Sequence, residues 1–152
     1  MQKVIISDTS CLILLDNIGE LDLLHQLYGT IITTTEVKLE FGKELPVWFE
    51  IIEPKNKKYQ SLLENTVYKG EASTIALAVE YDDCLLIIDD LKGRKFALQL
   101  GIHIIGTMGV IVDAKLSGTI SSIKPLIQKI RSTNFRITEE LENLMLVKAE
   151  EV

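Results

Sequence analysis

Histidine and cysteine are nearly absent from this chain, two of each. That scarcity removes several kinds of chemistry at once. Cys11 and Cys84 lie in apolar contexts with no Cys or His at metal-ligand spacing, which reads as two buried free thiols and argues against disulfides and structural zinc. His25 falls in the middle of a helical pattern and His103 in a run that reads as a buried strand, so a Ser-His-Asp or Cys-His arrangement has little support. No apolar run approaches the roughly 20 residues needed to span a bilayer. The opening "MQKVIISDTS" puts a strand and a polar turn where a signal peptide would need a cleavage site. A cytoplasmic protein without membrane association is expected. Positive charge is also short, 16 Lys and Arg against 22 Asp and Glu for a net charge of −6. This argues against nucleic-acid binding driven by overall charge. Three local clusters partly offset it: "PKNKK" (Pro54 to Lys58), "KGRK" (Lys92 to Lys95) and "KIR" (Lys129 to Arg131).

What is present points to an α/β protein. With 152 residues and 47% hydrophobic content, one well-packed domain over residues 1–152 is expected, with no repeat, linker or low-complexity tract. "KVIIS" (Lys3 to Ser7) reads as a strand running into a helix capped by Thr9 or Ser10. Two helices closed by Gly19 and Gly29 follow, then the strand "TIITT" and a helix with Thr33 and Glu36 in capping-box spacing. From "KELPVWFEIIEPKNKKYQ" the pattern gives a turn, an extended piece ending near Glu53 and an exposed basic segment, with Trp48 as a packing or interface residue. "GEASTIALAVEY", "CLLII", "LKGRKFALQLG" and "IHIIG" then alternate helix and strand, and three more helices complete the chain. Such alternation predicts a parallel sheet covered by helices on both faces.

The acids stand out against this pattern. Strands of a parallel sheet all point one way, so their C-terminal ends line one edge, where ligands bind. Asp8 closes the first strand, and Asp89 and Asp90 close the strand that begins near Leu85. Glu71 opens its helix on the face of Ile75 and Ala78, and Glu40 forms a stripe with Val37 and Phe41. A carboxylate on an apolar face is costly unless it is paired or bound to metal. An oxygen-only set of this kind suits magnesium or manganese, which act on phosphodiesters. Each acid also has a plainer reading: Asp8 as a helix cap, Glu71 as a charge favoured by the helix dipole, Asp89 and Asp90 as a solvated turn, Glu40 as a surface residue.

In the order and spacing of "VIISDTSCLILLDNIGELDLL", "EVKLEFG", "GEASTIALA", "LLIIDDLKGRKFALQLGIHIIGTMGVIVDAKLSG" and "FRITEELENLML", the sequence resembles the PIN-domain family. The likeness is to its branch of compact prokaryotic proteins related to VapC-type toxins. The resemblance implies a three-layer α/β/α fold with a central parallel sheet, and a ribonuclease using magnesium or manganese. It implies Asp8, Glu71 and Asp90 as metal ligands, with Asp89 or Glu40 positioning or deprotonating the water. Thr9 and Ser10 would orient the first acid or a metal-bound water, and Lys92, Arg94 and Thr107 would lie against the substrate. The implied partners are RNA, an antitoxin protein and a second copy of the chain. One departure is visible. Many PIN nucleases carry a further acid or Asn shortly after the late-strand acid, where this chain reads "LKGR", leaving one or two metals open. A catalytically inactive binding module is the alternative. A receiver-type signalling domain fits poorly, because the first strand lacks paired acids and no late strand ends in Lys.

Overall fold

The computed structural model describes residues 3–152. Its centre is a parallel five-stranded sheet in the order β3-β2-β1-β4-β5. The strands are β1 (Val4–Ser7), β2 (Ile31–Thr33), β3 (Phe49–Ile51), β4 (Cys84–Ile87) and β5 (His103–Ile105). Helices α1 (Thr9–Asn17) and α2 (Asp22–Tyr28) link β1 to β2, and α3 (Thr35–Phe41) links β2 to β3. The return to the other side of β1 runs through α4 (Lys57–Leu63) and α5 (Lys69–Ala78). Then α6 (Leu91–Gln99) joins β4 to β5, and α7 (Thr107–Leu116), α8 (Lys124–Arg131) and α9 (Glu139–Lys148) follow.

Alternation along each short strand makes three layers. Ile5, Ile31 and Ile87 belong to one buried cluster, with the apolar faces of α1, α2, α7 and α8. Their neighbours Ile6, Ile32, Leu86 and Ile88 belong to the other, with Ala72, Ile75 and Ala76 of α5 and Ala97 of α6. Successive side chains of a strand face opposite ways, so a sheet buried on both faces needs apolar residues at both parities. The runs "VII" and "LLII" supply them.

The chain builds β1, β2 and β3 outward in one direction, then crosses back to lay β4 on the opposite side of β1. The reversal leaves a topological switch point between β1 and β4, the place where open α/β sheets bind ligands. The pair is in full register, Val4 with Cys84 through Ser7 with Ile87, so Asp8 emerges beside Ile88 and Asp89.

Four local expectations are corrected. The cap of α1 is Asp8, whose carboxylate accepts from Cys11 N, instead of Thr9 or Ser10. The cap of α3 is Thr34 and not Thr33, which completes β2 and turns its hydroxyl across to Ser7 O at 2.7 Å. The basic segment after Glu53 contains a helix, α4, capped by Asn56 and held by the Glu80 carboxylate on Lys55 N and Asn56 N. Gln60 and Leu63 form its buried side. His103 is exposed, because β5 is an edge strand paired only with β4. Trp48 stacks between His25 and Phe49, centroids 5.0 and 4.5 Å away. Both cysteines are buried and free.

Thr33 to Ser7 is a buried bond at the end of β1, one residue before Asp8. Thr33→Val removes the donor and leaves a buried carbonyl short of a partner, which costs about 1–3 kcal/mol. Urea unfolding of the two proteins checks this; equal midpoints would exclude a structural role for the bond.

Candidate functional site

At the C-terminal edge of β1 and β4, four helices begin and each meets an acid. Asp8 is 2% exposed; one carboxylate oxygen accepts Cys11 N and the other faces Asp89 N at 3.4 Å. Asp89 anchors α7: its Oδ1 accepts Thr107 N at 2.7 Å and its Oδ2 accepts the Thr107 hydroxyl. Asp90 caps α6 through Gly93 N at 3.0 Å. Glu71 stands in the first turn of α5. Unsatisfied N–H groups and the dipole at a helix start favour negative charge, which lets like charges gather here.

The gathering still has a cost. Burial, then the charge of Asp89, pushes the Asp8 carboxyl up from 3.8 to about 7. Burial and the adjacent Asp90 carboxyl push Glu71 from 4.5 to about 8. Glu71 Oε2 is buried and accepts no hydrogen bond. It lies over the first turn of α6, where a Cβ on Gly93 would come within 3.0 Å of it. The same Cβ would fall 2.7 Å from Ile88 Cδ1, so glycine at 93 makes room for both side chains.

Glu40 reaches in from α3, and its carboxylate accepts the Thr9 hydroxyl. It lies against the start of α5, where a Cβ on Gly70 would fall 2.1 Å from Glu40 Oε1. Arg94 is half-buried, with its guanidinium on Ile88 O at 2.9 Å. Lys92 is exposed. Among the described residues neither Lys92 nor Lys95 takes part in an ion pair, whereas Lys129 and Arg131 are bound to Glu20 and Glu142 at 2.8 and 2.7 Å.

The structure therefore brings Asp8, Glu71, Asp89 and Asp90 to one edge, with Glu40 and Thr9 beside them. It leaves others apart. Thr107 is fully buried and turned to Asp89, so it presents no polar group to a substrate. Ser10 is exposed and lines a separate hollow with Ile13, Asn17 and Phe135. Thr9 bonds to Glu40 instead of Asp8. Sequence reasoning missed the division of labour within the acid pair, which only the position of Thr107 reveals. It also missed Tyr68, the residue before α5, which is 77% exposed. The signal available was an aromatic directly ahead of "KGE".

All the candidate donors are oxygens, and Glu71 Oε2 has no other partner. That chemistry fits a hard divalent cation. Among the described residues, however, no three Asp, Glu, His or Cys side chains stand together closely enough to hold a metal ion as they are placed. Cys11 offers no nucleophile, since burial pushes its thiol up and keeps it protonated.

A doubly wound parallel sheet with carboxylates at its switch point defines an α/β protein of the kind that binds ligands at that edge. The family model DUF3368, described as a PIN domain, matches residues 4–151. The chain belongs to the PIN-domain family, whose members are generally nucleases and commonly use divalent metals. No curated protein and no solved structure matches it. Among the described residues no helix is long and apolar enough to cross a membrane.

The raised carboxyls predict how stability varies with pH. Between about 4 and about 8 the folded protein binds protons at Asp8 and Glu71 that the unfolded chain has released. Stability is therefore highest at the acid end of that window, falls as pH rises through it, and levels off above. Tm measured in EDTA should drop by several degrees across the window, with a shallower slope in Asp8→Asn. A Tm that is flat or rising would contradict the assignment.

Proposed function

We propose that the chain is a metal-dependent endoribonuclease of VapC-like type that hydrolyses RNA phosphodiester bonds at the acidic edge, in the cytoplasm. Asp8, Glu71 and Asp90 would hold magnesium or manganese. The observation that carries the reading is the unpartnered Glu71 oxygen beside Asp90, close enough to Asp8 for the charge of that carboxylate to act on it. Such a cation supplies Lewis acidity toward the phosphate and a more acidic water.

The remaining steps fall to the protein's own groups. Glu40, oriented by the Thr9 hydroxyl and open to solvent, is better placed than Asp89 to receive a proton from the attacking water, because both Asp89 oxygens are engaged by Thr107. Asp89 then acts as a positioning residue that fixes the end of β4 against α7. Lys92 meets a phosphate oxygen, and Arg94, anchored on Ile88 O, adds fixed positive charge near the acids. The finer reading includes a toxin role. An antitoxin segment would then neutralise the same edge by placing Arg or Lys among its carboxylates, and a second copy of the chain would complete a dimer.

A second reading, a PIN-like module that binds protein or nucleic acid without cutting, draws on the absence, among the described residues, of three carboxylates placed to hold a metal ion together. Cleavage of a panel of structured and single-stranded RNAs with manganese, magnesium or EDTA separates the two. Metal-dependent cutting lost in Asp8→Asn and Asp90→Asn, with the fold intact, supports the nuclease. Unchanged cutting in either variant removes these acids from the mechanism. A folded wild type that neither cuts nor binds metal by calorimetry favours the binding module.

Gly70→Ala tests Glu40 without touching a charge. The new Cβ displaces the Glu40 carboxylate, and a displacement near 1 Å lowers kcat on the order of 100-fold. Circular dichroism should be unchanged. Full activity in this variant would exclude Glu40 as the proton acceptor.

A further inference from the structure

Tyr68 presents most of its ring to solvent although it directly precedes the helix that carries Glu71. It does not stand alone. It lines a hollow of about 440 Å³ together with Asn65, Thr66 and Lys92, and Asp90 forms part of the same wall. The hollow is thus continuous with the acidic edge.

We infer that this hollow receives one unstacked nucleobase of a single-stranded RNA, stacked on Tyr68, next to the phosphodiester held at the acids; the inference rests on the nuclease reading above. Three features select this occupant. Tyr68 offers a broad aromatic face, and base stacking on such a face is favourable for any base and needs no fixed hydrogen-bond pattern. The side chains of Asn65 and Thr66 make no hydrogen bonds within the described residues and carry the donors and acceptors that a base edge requires. Positive charge is available: Lys92 in the lining and Lys69, the residue after Tyr68, form no ion pair among the described residues. Glu64 also lines the hollow and repels a phosphate, so the backbone runs past Lys92 and the base turns toward Tyr68.

A duplex cannot use the hollow. Its bases are already stacked on one another, and the ring of Tyr68 gains nothing from a closed helix. A protein partner would find too little apolar surface, since Tyr68 is the only large exposed apolar side chain lining the hollow. Tyr68 is therefore a specificity-determining residue that favours single-stranded over double-stranded substrate.

The test measures the affinity of a short single-stranded oligoribonucleotide in the Asp8→Asn background, with 2-aminopurine replacing one base at a time. Tyr68→Ala is expected to weaken binding about tenfold and to abolish quenching at one position. Tyr68→Phe should retain both, because the ring and not the hydroxyl does the stacking. An abasic site at the quenched position should cause the same loss as Tyr68→Ala, with no further loss when the two are combined. Duplex RNA should bind Tyr68→Ala and its parent equally. Equal single-strand affinity of Tyr68→Ala and its parent, or failure of Tyr68→Phe to restore binding, would overturn the inference. Cleavage by wild type distinguishes the two levels: if it is lost in Asp8→Asn while Tyr68→Ala cuts with unchanged KM, the nuclease reading stands and the base site falls. If wild type cuts nothing yet Tyr68-dependent quenching persists, the base site stands without the nuclease.

Discussion

The parallel pairing of β1 with β4 is the constraint on which the rest depends. Four residues of each strand lie in register, and their ends put Asp8 and Asp89 side by side across 81 residues of sequence. Neither strand owes this pairing to its own turn chemistry. It follows from burial on both faces, because apolar residues at both parities have no exposed side to turn to water. A shift of one residue would exchange Ile5 with Ile6 between the two clusters and carry Asp8 away from β4.

From that pairing comes an overlap of roles among the acids. Asp8 and Asp90 are helix caps in the ordinary sense, and Asp89 anchors a third helix start. The capping reading and the functional reading are therefore compatible. N-terminal dipoles and free N–H groups hold negative charge at the switch point before any ligand is considered. Glu71 is the exception. It receives no such bond at Oε2, and its carboxyl, like that of Asp8, is displaced toward the neutral form.

Much of the architecture was legible because apolar runs stop abruptly at polar turns. "VIIS" before Asp8 and "LLII" before Asp89 gave both strands and the acids that end them. Caps were misread by one position, Thr9 or Ser10 for Asp8 and Thr33 for Thr34, for one physical reason. In "SDTS" and "TTT" every side chain can cap, and the choice is made by where sheet pairing ends, a non-local fact. The basic run Lys55 to Lys58 concealed α4, since its buried side consists only of Gln60 and Leu63. His103 looked buried because strand order, which makes β5 an edge, is not written in the strand. The contributions of Thr107 to Asp89 and of Thr9 to Glu40 join distant elements and leave no local pattern.

The separation of β1 from β4 also sets a schedule. A chain emerging from a ribosome displays Asp8 and Glu40 before the strand that brings Asp89 and Asp90 against β1 has been made. Pairings so far apart in sequence are slow to form, because a long loop must close before they are rewarded. The acidic edge is thus a late product of folding. Fragments that stop short of β4 lack Asp89 and Asp90, and whatever chemistry resides at this edge is withheld until that strand has paired with β1.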